Sequence, residues 1–573
     1  MCGFVVAIQP DAQPVDLTAA SHSIRHRGPD DEGRWSNPGG TCHMAFRRLS
    51  ILDLSSAGHQ PMHSKDGRYT IVFNGEIYNY LELKEELDHR FDTESDTEVL
   101  LAAYAAWKEE CLHRLNGMFA FAIWDEEEQK LFAARDRFGV KPLFFHVTSS
   151  GALHIASEIK ALGARAEFDT VAWADYLVRG MYDHGPRTFW NNVTRVLPGH
   201  RMTVSASGDA QTERWYDLPT IVGEEDDRDE AEVADELLAI LESSIRFRFR
   251  SDVPVGVCLS GGLDSSLLLG LMHRVHGADS ETKTFTFMCG DPDYDETPWV
   301  EEMLKGTSHP SFFCRLRVEE VPELCAGIQA SQDEPFGGLP TLGMAMVHRK
   351  AREEGVIVLL DGNGMDEGWA GYEYYQRVES VDLSTGPVQG SRSKSIRNDC
   401  LVEEFAEQAL DPVVSRPFND PLRDTQFRDL SRAKIPRAMR FADRVSMMFS
   451  RELREPFLDH RLIELGLRQP ASYKIRSGQG KFLPRQVAGD LLPRKVSEAP
   501  KRPVQTPQRE WLRGPLASWA ESCIDAALQD AGGNWLDPDK VRAAWRDYRD
   551  HGGDNSFPIW QWISLGLVVE GRR

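Results

Sequence analysis

The chain has 573 residues, 41% hydrophobic and 27% charged, an ordinary globular composition with length for roughly two to four domains. Its net charge of −23 argues against a general nucleic-acid binder, which carries a basic footprint. No uninterrupted apolar run approaches the ~20 residues of a membrane span, so no membrane partner is expected.

The opening "MCGFVVAI" puts a cysteine directly behind Met1. It lacks the basic n-region of a secretory signal, and a cytoplasmic protein is expected. Two readings of Cys2 stand at this point. It begins a buried strand and only packs, or Met1 is removed and Cys2 carries both a thiol and a free α-amine. That amine, with an ordinary pKa of about 7.7–8.0, can serve as a base beside the nucleophile. The nine cysteines are scattered and form no CxxC pair, which suits reduced thiols and argues against a structural zinc. His59 and His63 are four apart in "HQPMH", but Pro61 between them spoils a helical ligand pair.

Short apolar or alternating runs fill the first ~200 residues, split by Gly, Asn, Asp and Pro, and predict strands at "CGFVVAI", "YTIVFNGEIY", "MFAFAIWD", "KLFAARD", "PLFFHV" and "ALHIAS". "YLELKEELDHR" and "DTEVLLAAYAAWKEE" predict helices between them, and "VLPGHRMTV" and "ERWYDL" closing strands. This is an α+β pattern, a sheet layered with helices. The acidic run "GEEDDRDE" (223–230) reads as a linker and "AEVADELLAILESSIRFRFR" as an amphipathic helix. Strand–helix alternation then begins with "VPVGVCLSGGLDSSLLLGLMHRV" and continues through "TKTFTFM" and "GVIVLLDG", implying a parallel sheet with covered faces. "STGPVQGSRSKS" (384–395) reads as a surface loop, and the chain after 430 as mainly helical.

"LSGGLDSS" (259–266) carries the most chemistry. Leu259 ends a strand, Gly261 and Gly262 permit a tight turn, and Asp264, Ser265 and Ser266 open a helix. Exposed N–H groups and hydroxyls make an anion cradle there, and Asp264 beside it suits a phosphate site that also holds Mg²⁺. The GK[ST] ending of a Walker loop is absent.

"SGGLDSS" resembles the pyrophosphate-binding loop of ATP pyrophosphatases. Together with "MCGF", the whole chain resembles the glutamine-hydrolysing asparagine synthetase family. "RHRGPDDEG", "RRLSILDLSSAGHQPM", "FNGEIYNY", "SDTEVLL", "LNGMFAFAIWD", "ARDRFGVKPLFF", "LPGH", "DEPFGG", "DGNGMDEGWAGY", "DRVSMMFSRELREPFLD" and "GKFLPR" follow in family order. The resemblance implies an αββα N-terminal nucleophile sandwich over 1–215, a class II glutamine amidotransferase domain. It implies an α/β ATP pyrophosphatase domain over 216–573 with a mainly helical C-terminal part.

The resemblance makes Cys2 the nucleophile on glutamine, Asn74 and Gly75 the oxyanion hole, and Arg48, Asn74, Glu76 and Asp96 the glutamine-binding set. It places ATP and pyrophosphate at Leu259, Ser260, Gly261, Gly262, Asp264, Ser265, Ser266, Phe287, Asp361, Gly362 and Arg485. Asp264 and Asp366 become Mg²⁺ carboxylates, and Lys481 offsets charge as pyrophosphate leaves. ATP and Mg²⁺ are the implied cofactors, with no zinc, haem or flavin. Glutamine and an acceptor carboxylate are the implied partners, a homodimer being compatible. The implied reaction adenylates the acceptor and amidates it with ammonia channelled from glutamine.

The pattern departs at three places. Asn363 in "DGNGMDE" stands where an acidic residue is usual beside the acyl-adenylate, and a neutral amide cannot take ammonia's proton. "LREPFLD" replaces "ARVPFLD", and "DEPFGGLPT" is short. These changes favour an acceptor other than aspartate, as in branches serving secondary-metabolite or surface-sugar synthesis, with Glu367, Glu373 or the acceptor itself as substitute base. True asparagine synthesis is the alternative. A phosphoribosyl-transferring glutaminase would lack "SGGLDSS", a β-lactam-forming relative would usually lose Cys2, and a scaffold would be expected to have eroded Cys2, Asn74 or Asp264.

Overall fold

The computed structural model describes all residues except 1, 165–166, 278–281, 386–395, 412, 490, 500–505, 530, 554 and 573. Most of the surface loop expected at 384–395 lies outside the described residues.

Strand Gly3–Ile8 explains the first layer. Val5 and Ala7 point to one face and Phe4, Val6 and Ile8 to the other, and all five are buried. A strand apolar on both faces must be covered twice. Gly3–Ile8 sits inside a six-stranded antiparallel sheet in the order Val193–Arg195, Phe144–Val147, Leu153–Ala156, Gly3–Ile8, Cys42–Arg48, Asp31–Ser36. A second six-stranded antiparallel sheet runs Ala210–Arg214, His200–Ser205, Lys130–Arg135, Gly117–Asp125, Tyr69–Ile77, Met62–His63. Phe4, Val6 and Phe46 of one sheet meet Val72, Ala122 and Trp124 of the other. The outer face of the second sheet, with Ile71, Phe73 and Phe121, packs on Val99 and Leu100 of helix Asp96–Trp107. Ser95 caps that helix by accepting from Thr97 N at 3.2 Å. The result is the expected αββα sandwich. "ERWYDL" is only partly a strand: pairing ends at Arg214, Trp215 and Tyr216 turn into the core, and helix Leu218–Val222 follows.

Helix Glu230–Arg248, capped by Asp229, leads into a five-stranded parallel sheet. Its order is Ser311–Arg315, Lys283–Met288, Val255–Cys258, Val358–Leu360, Glu452–Arg454. Glu452–Arg454 was not expected: a three-residue strand in a helical stretch carries no periodicity to read. Helices dominate afterwards, ending with the almost wholly buried Phe557–Glu570.

The two units share one apolar cluster that joins Val5 and Trp173 to Phe336 and Trp560. Arg27, fully buried, ties them electrostatically. Its Nε donates to Cys2 O at 2.9 Å, and its Nη1 donates to Glu158 at 2.8 Å and to Asp443 at 2.9 Å. Asp443 lies on helix Ile435–Met448 of the second unit, so the backbone of Cys2 is braced from across the interface.

Candidate active sites

Cys2 lies at the start of strand Gly3–Ile8 and is 8% exposed. Its backbone nitrogen donates to Asn74 Oδ1 at 3.0 Å, and its Sγ lies 3.9 Å from Leu49 O. Asn74 Nδ2 is buried and has no hydrogen-bond partner among the described residues. An orphaned donor beside a thiol is costly unless a ligand oxygen satisfies it, which is what an oxyanion hole requires. Gly75 is needed for space: a Cβ there would stand 2.1 Å from Met118 O. Burial pushes the Cys2 thiol pKa up, with the Arg48 guanidinium among the opposing charges. Arg48 itself is held by the 52–55 turn, donating to Ser55 O at 2.8 Å and to Asp53 O.

Glu76 and Asp96 complete the set, joined by two residues that the sequence assigned no role. Asp96 Oδ2 accepts from Ile77 N at 2.8 Å. Arg454 Nη2 lies 3.5 Å from Glu76 Oε1, and Arg454 Nε is 2.6 Å from Glu452 Oε1. The edge strand Glu452–Arg454 of the parallel sheet therefore walls the glutaminase site. Burial, then Glu452 and Asp96, push Glu76 well above the usual carboxylate range. Asp96 is pushed up to about 6 by burial, against the Ile77 N–H, with Glu452 adding to the rise.

That value gives a pH prediction. If Asp96 pairs with the α-ammonium of glutamine, as the family resemblance implies, protonation below about pH 6 removes the charge that does so. The kcat/KM of glutamine hydrolysis should fall about tenfold per pH unit on the acid side of that value, Glu76 and Asp96 titrating as a pair. Asp96→Asn should raise KM and flatten this limb. A limb unchanged in Asp96→Asn would remove Asp96 from glutamine binding.

The second centre sits at the carboxyl end of the central strand Val255–Cys258, where ligands of parallel sheets collect. Gly261, at φ +69°, turns the chain into helix Leu263–His276, whose N-cap is Gly262. Ser265 Oγ braces the loop, accepting from Ser260 N at 3.1 Å. Ser266 Oγ is buried without a hydrogen-bond partner among the described residues. A cleft of about 650 Å³ opens here, lined by Ser260, Gly262, Asp264, Ser265, Asp361, Gly362, Asn363, Asp366, Glu367, Lys481 and Arg485. Lys481, 2% exposed, reaches Asp264 at 2.5 and 2.6 Å and Asp366 at 2.6 Å. Its ammonium holds the two carboxylates together.

Other expected residues are more peripheral. Leu259, just past strand Val255–Cys258, is buried and Phe287, on strand Lys283–Met288, is half-buried, both outside the cleft lining; the Phe287 ring packs against Gly343. Arg485 spends its guanidinium on Gly480 O and Ser497 O, at 3.1 and 2.6 Å. Burial and the neighbouring Asp366 push Glu367 up to about 7, and Tyr372 donates to it at 2.7 Å. Glu373 is exposed at the rim. Among the described residues, no three His, Cys, Asp or Glu side chains group as a metal cage, and no helix is long and apolar enough to cross a membrane.

Asn363 Nδ2 donates a long hydrogen bond of 3.4 Å to Glu455 Oε1. Glu455 in turn lines a small interior cavity of about 20 Å³ that also touches Tyr78, Gly117 and Met118 of the first unit.

The fold and these two centres define a class: a glutaminase sandwich joined to a parallel-sheet synthetase unit. Family models agree, one described as glutamine amidotransferase domain over residues 1–216 and one as asparagine synthase over 236–570. The chain belongs to the glutamine-hydrolysing asparagine synthetase family and is a glutamine-hydrolysing carbon–nitrogen ligase. It is 31% identical to glutamine-hydrolyzing asparagine synthetase 1 of Bacillus subtilis over 98% of this chain and 95% of that one. Identity to a putative asparagine synthetase of Mycobacterium tuberculosis is 32%, covering 99% and 96%. An amidase, chry2, of Gibberella zeae is 26% identical, covering 88% and 87%.

Proposed function

We propose that the chain hydrolyses glutamine at Cys2, adenylates an acceptor carboxylate with ATP in the 650 Å³ cleft, and amidates it with the released ammonia. The observation that carries this reading is the run 452–455. Glu452 and Arg454 face Glu76 of the glutaminase site, and the next residue, Glu455, touches Asn363 of the cleft. Four consecutive residues thus link the two centres through the protein interior, where ammonia escapes protonation by bulk water.

In the first centre, Met1 is removed and the Cys2 amine takes the thiol proton as sulfur attacks the glutamine amide. Asn74 Nδ2, buried without a hydrogen-bond partner among the described residues, and Gly75 N–H receive the oxyanion. Asp96 and Arg48 grip the two ends of the glutamine α-amino acid. In the second centre, the loop 260–266 cradles the phosphates and Lys481 offsets charge on departing pyrophosphate. Asp264 and Asp366 supply the hard oxygen donors that Mg²⁺ prefers, and would hold it together with phosphate oxygens once ATP draws the Lys481 ammonium away. That ion supplies charge neutralisation on the phosphates.

We further propose L-aspartate as the acceptor. The objection to aspartate was the missing carboxylate at Asn363, and Glu455 supplies one beside it. The test is an acceptor screen by pyrophosphate release with ATP, Mg²⁺ and ammonium chloride. Aspartate should give a kcat/KM of about 10⁴ M⁻¹s⁻¹ or above. No turnover of aspartate, with another acid active, would replace the acceptor and keep the reaction class. Silence with every acid would overturn the class.

A further inference from the structure

We propose that Glu455 is the proton acceptor of the amidation half-reaction, standing in for the carboxylate that Asn363 lacks. The proposal rests on the adenylate-and-ammonia reading given above.

Position is the first argument. Glu455 is 4% exposed and sits between two spaces. On one side its Oε1 touches Asn363, which lines the ATP cleft. On the other it lines the interior cavity shared with Tyr78, Met118 and Val140 of the glutaminase unit. Ammonia crossing the interface and an acyl group held beside Asn363 would meet at this side chain. Glu367, another buried carboxylate of the cleft, is engaged by Tyr372 and does not line the cavity.

Unsatisfied valence is the second argument. Glu455 Oε2 is buried and accepts no hydrogen bond among the described residues. A carboxylate oxygen left bare in the interior costs of the order of 1–3 kcal/mol, a cost that a passing N–H donor relieves. The surroundings fit a proton acceptor. Burial, then the Asp361 charge, raise the pKa of Glu455 well above the carboxylate range, while Asn363, Lys141 and Arg248 oppose the rise. A raised pKa makes the ionised carboxylate a stronger proton acceptor. His460, also on the cavity wall, has its pKa pushed down to about 3 by burial and stays neutral, so it neither charges the route nor competes as an acid. Asp136, Arg137 and Arg248 complete the charged groups on that wall.

The step balances. The ammonia lone pair forms the C–N bond at the acyl carbon, giving a tetrahedral adduct with a positively charged nitrogen. One N–H proton passes to Glu455 Oε2. The bond between the acyl carbon and the phosphate oxygen breaks, and AMP leaves with that electron pair. The amide remains, and Glu455 returns its proton to solvent before the next turnover.

The test uses the full-length enzyme with ATP, Mg²⁺ and L-aspartate, or the acid that replaces aspartate in the screen. Three rates are read: ATP–pyrophosphate exchange, amide formation from ammonium chloride, and glutamine hydrolysis. Glu455→Gln keeps the shape and removes the base. Amide formation should fall ~10²–10³-fold, while exchange and glutaminase stay within about threefold of wild type, the spread of ordinary context effects. Asn363→Glu combined with Glu455→Gln returns a carboxylate to the same contact and should recover at least about tenfold of the loss, less than the full general-base effect. Wild-type amidation in Glu455→Gln would overturn the proposal, as would a parallel loss of exchange or no recovery in the double variant. A wild-type enzyme silent in exchange would instead fail the adenylation reading, and the proposal would fall with it.

Discussion

Replacing Cys2 with alanine is expected to lower glutamine hydrolysis by ~10⁴-fold or more, the scale on which loss of a nucleophile is felt. Amidation driven by ammonium chloride should continue near the wild-type rate. The first half follows from the site: the Cys2 backbone nitrogen donates to Asn74 Oδ1, and the same side chain carries the orphaned Nδ2. The second half follows from the separation of the centres. The phosphate loop, Lys481 and Asp366 belong to the parallel-sheet unit and touch nothing at residue 2. Cys2→Ser is the matched control, because Cys2 is also part of the apolar layer between the sheets and its removal leaves a small void. If Cys2→Ala retains glutamine hydrolysis, the nucleophile lies elsewhere. If ammonium-driven amidation is lost as well, the two centres do not act independently.

How much of this was legible in the sequence depended on whether the signal was local. Strand Gly3–Ile8, the turn 259–266 and helix Leu263–His276 follow from period-two or helical apolar spacing broken by glycine, and each appeared as read. The Cys2–Asn74 contact spans 72 residues and was legible only through ordered motifs, because no local rule brings the two together. The edge strand Glu452–Arg454 escaped because three residues hold no period. Its consequences escaped with it: Arg454 against Glu76, and Glu455 against Asn363, 92 residues away. Asn363 and the run "LREPFLD", which contains Glu455, were each noticed as departures from the family pattern. Their pairing needed three dimensions, since an exchange of carboxylate and neutral residue across a contact leaves two unrelated oddities in the chain. "ERWYDL" failed for a different reason: Trp215 and Tyr216 have high strand propensity, yet they bury more surface by leaving the sheet edge for the core beside Phe119 and Phe138.

Asp264→Ala is expected to lower pyrophosphate release by ~10²–10³-fold, comparable to losing a preorganised charge contact in a transition state, with glutaminase retained. Asp264 and Asp366 both bind the Lys481 ammonium, at 2.5–2.6 Å. On the function proposed above, the two carboxylates would serve a hard cation and the lysine the phosphates. Removing Asp264 leaves Lys481 paired to Asp366 alone, so the lysine stays but half of the oxygen set is gone. Ser265 and Ser266 cannot substitute, being neutral, and Ser265 Oγ is already committed to Ser260. Asp264→Asn separates charge from shape, because it keeps the side-chain volume near Gly362, whose Cβ position lies 3.1 Å from Asp264 Cβ. The same loss in Asn and Ala variants identifies the charge as the cause. Binding gives a second readout: ATP with Mg²⁺ should raise the Tm of the wild type through linkage and raise that of Asp264→Ala less at equal concentration. Unchanged pyrophosphate release in Asp264→Ala would remove this carboxylate from the phosphate chemistry and leave it as the structural partner of Lys481.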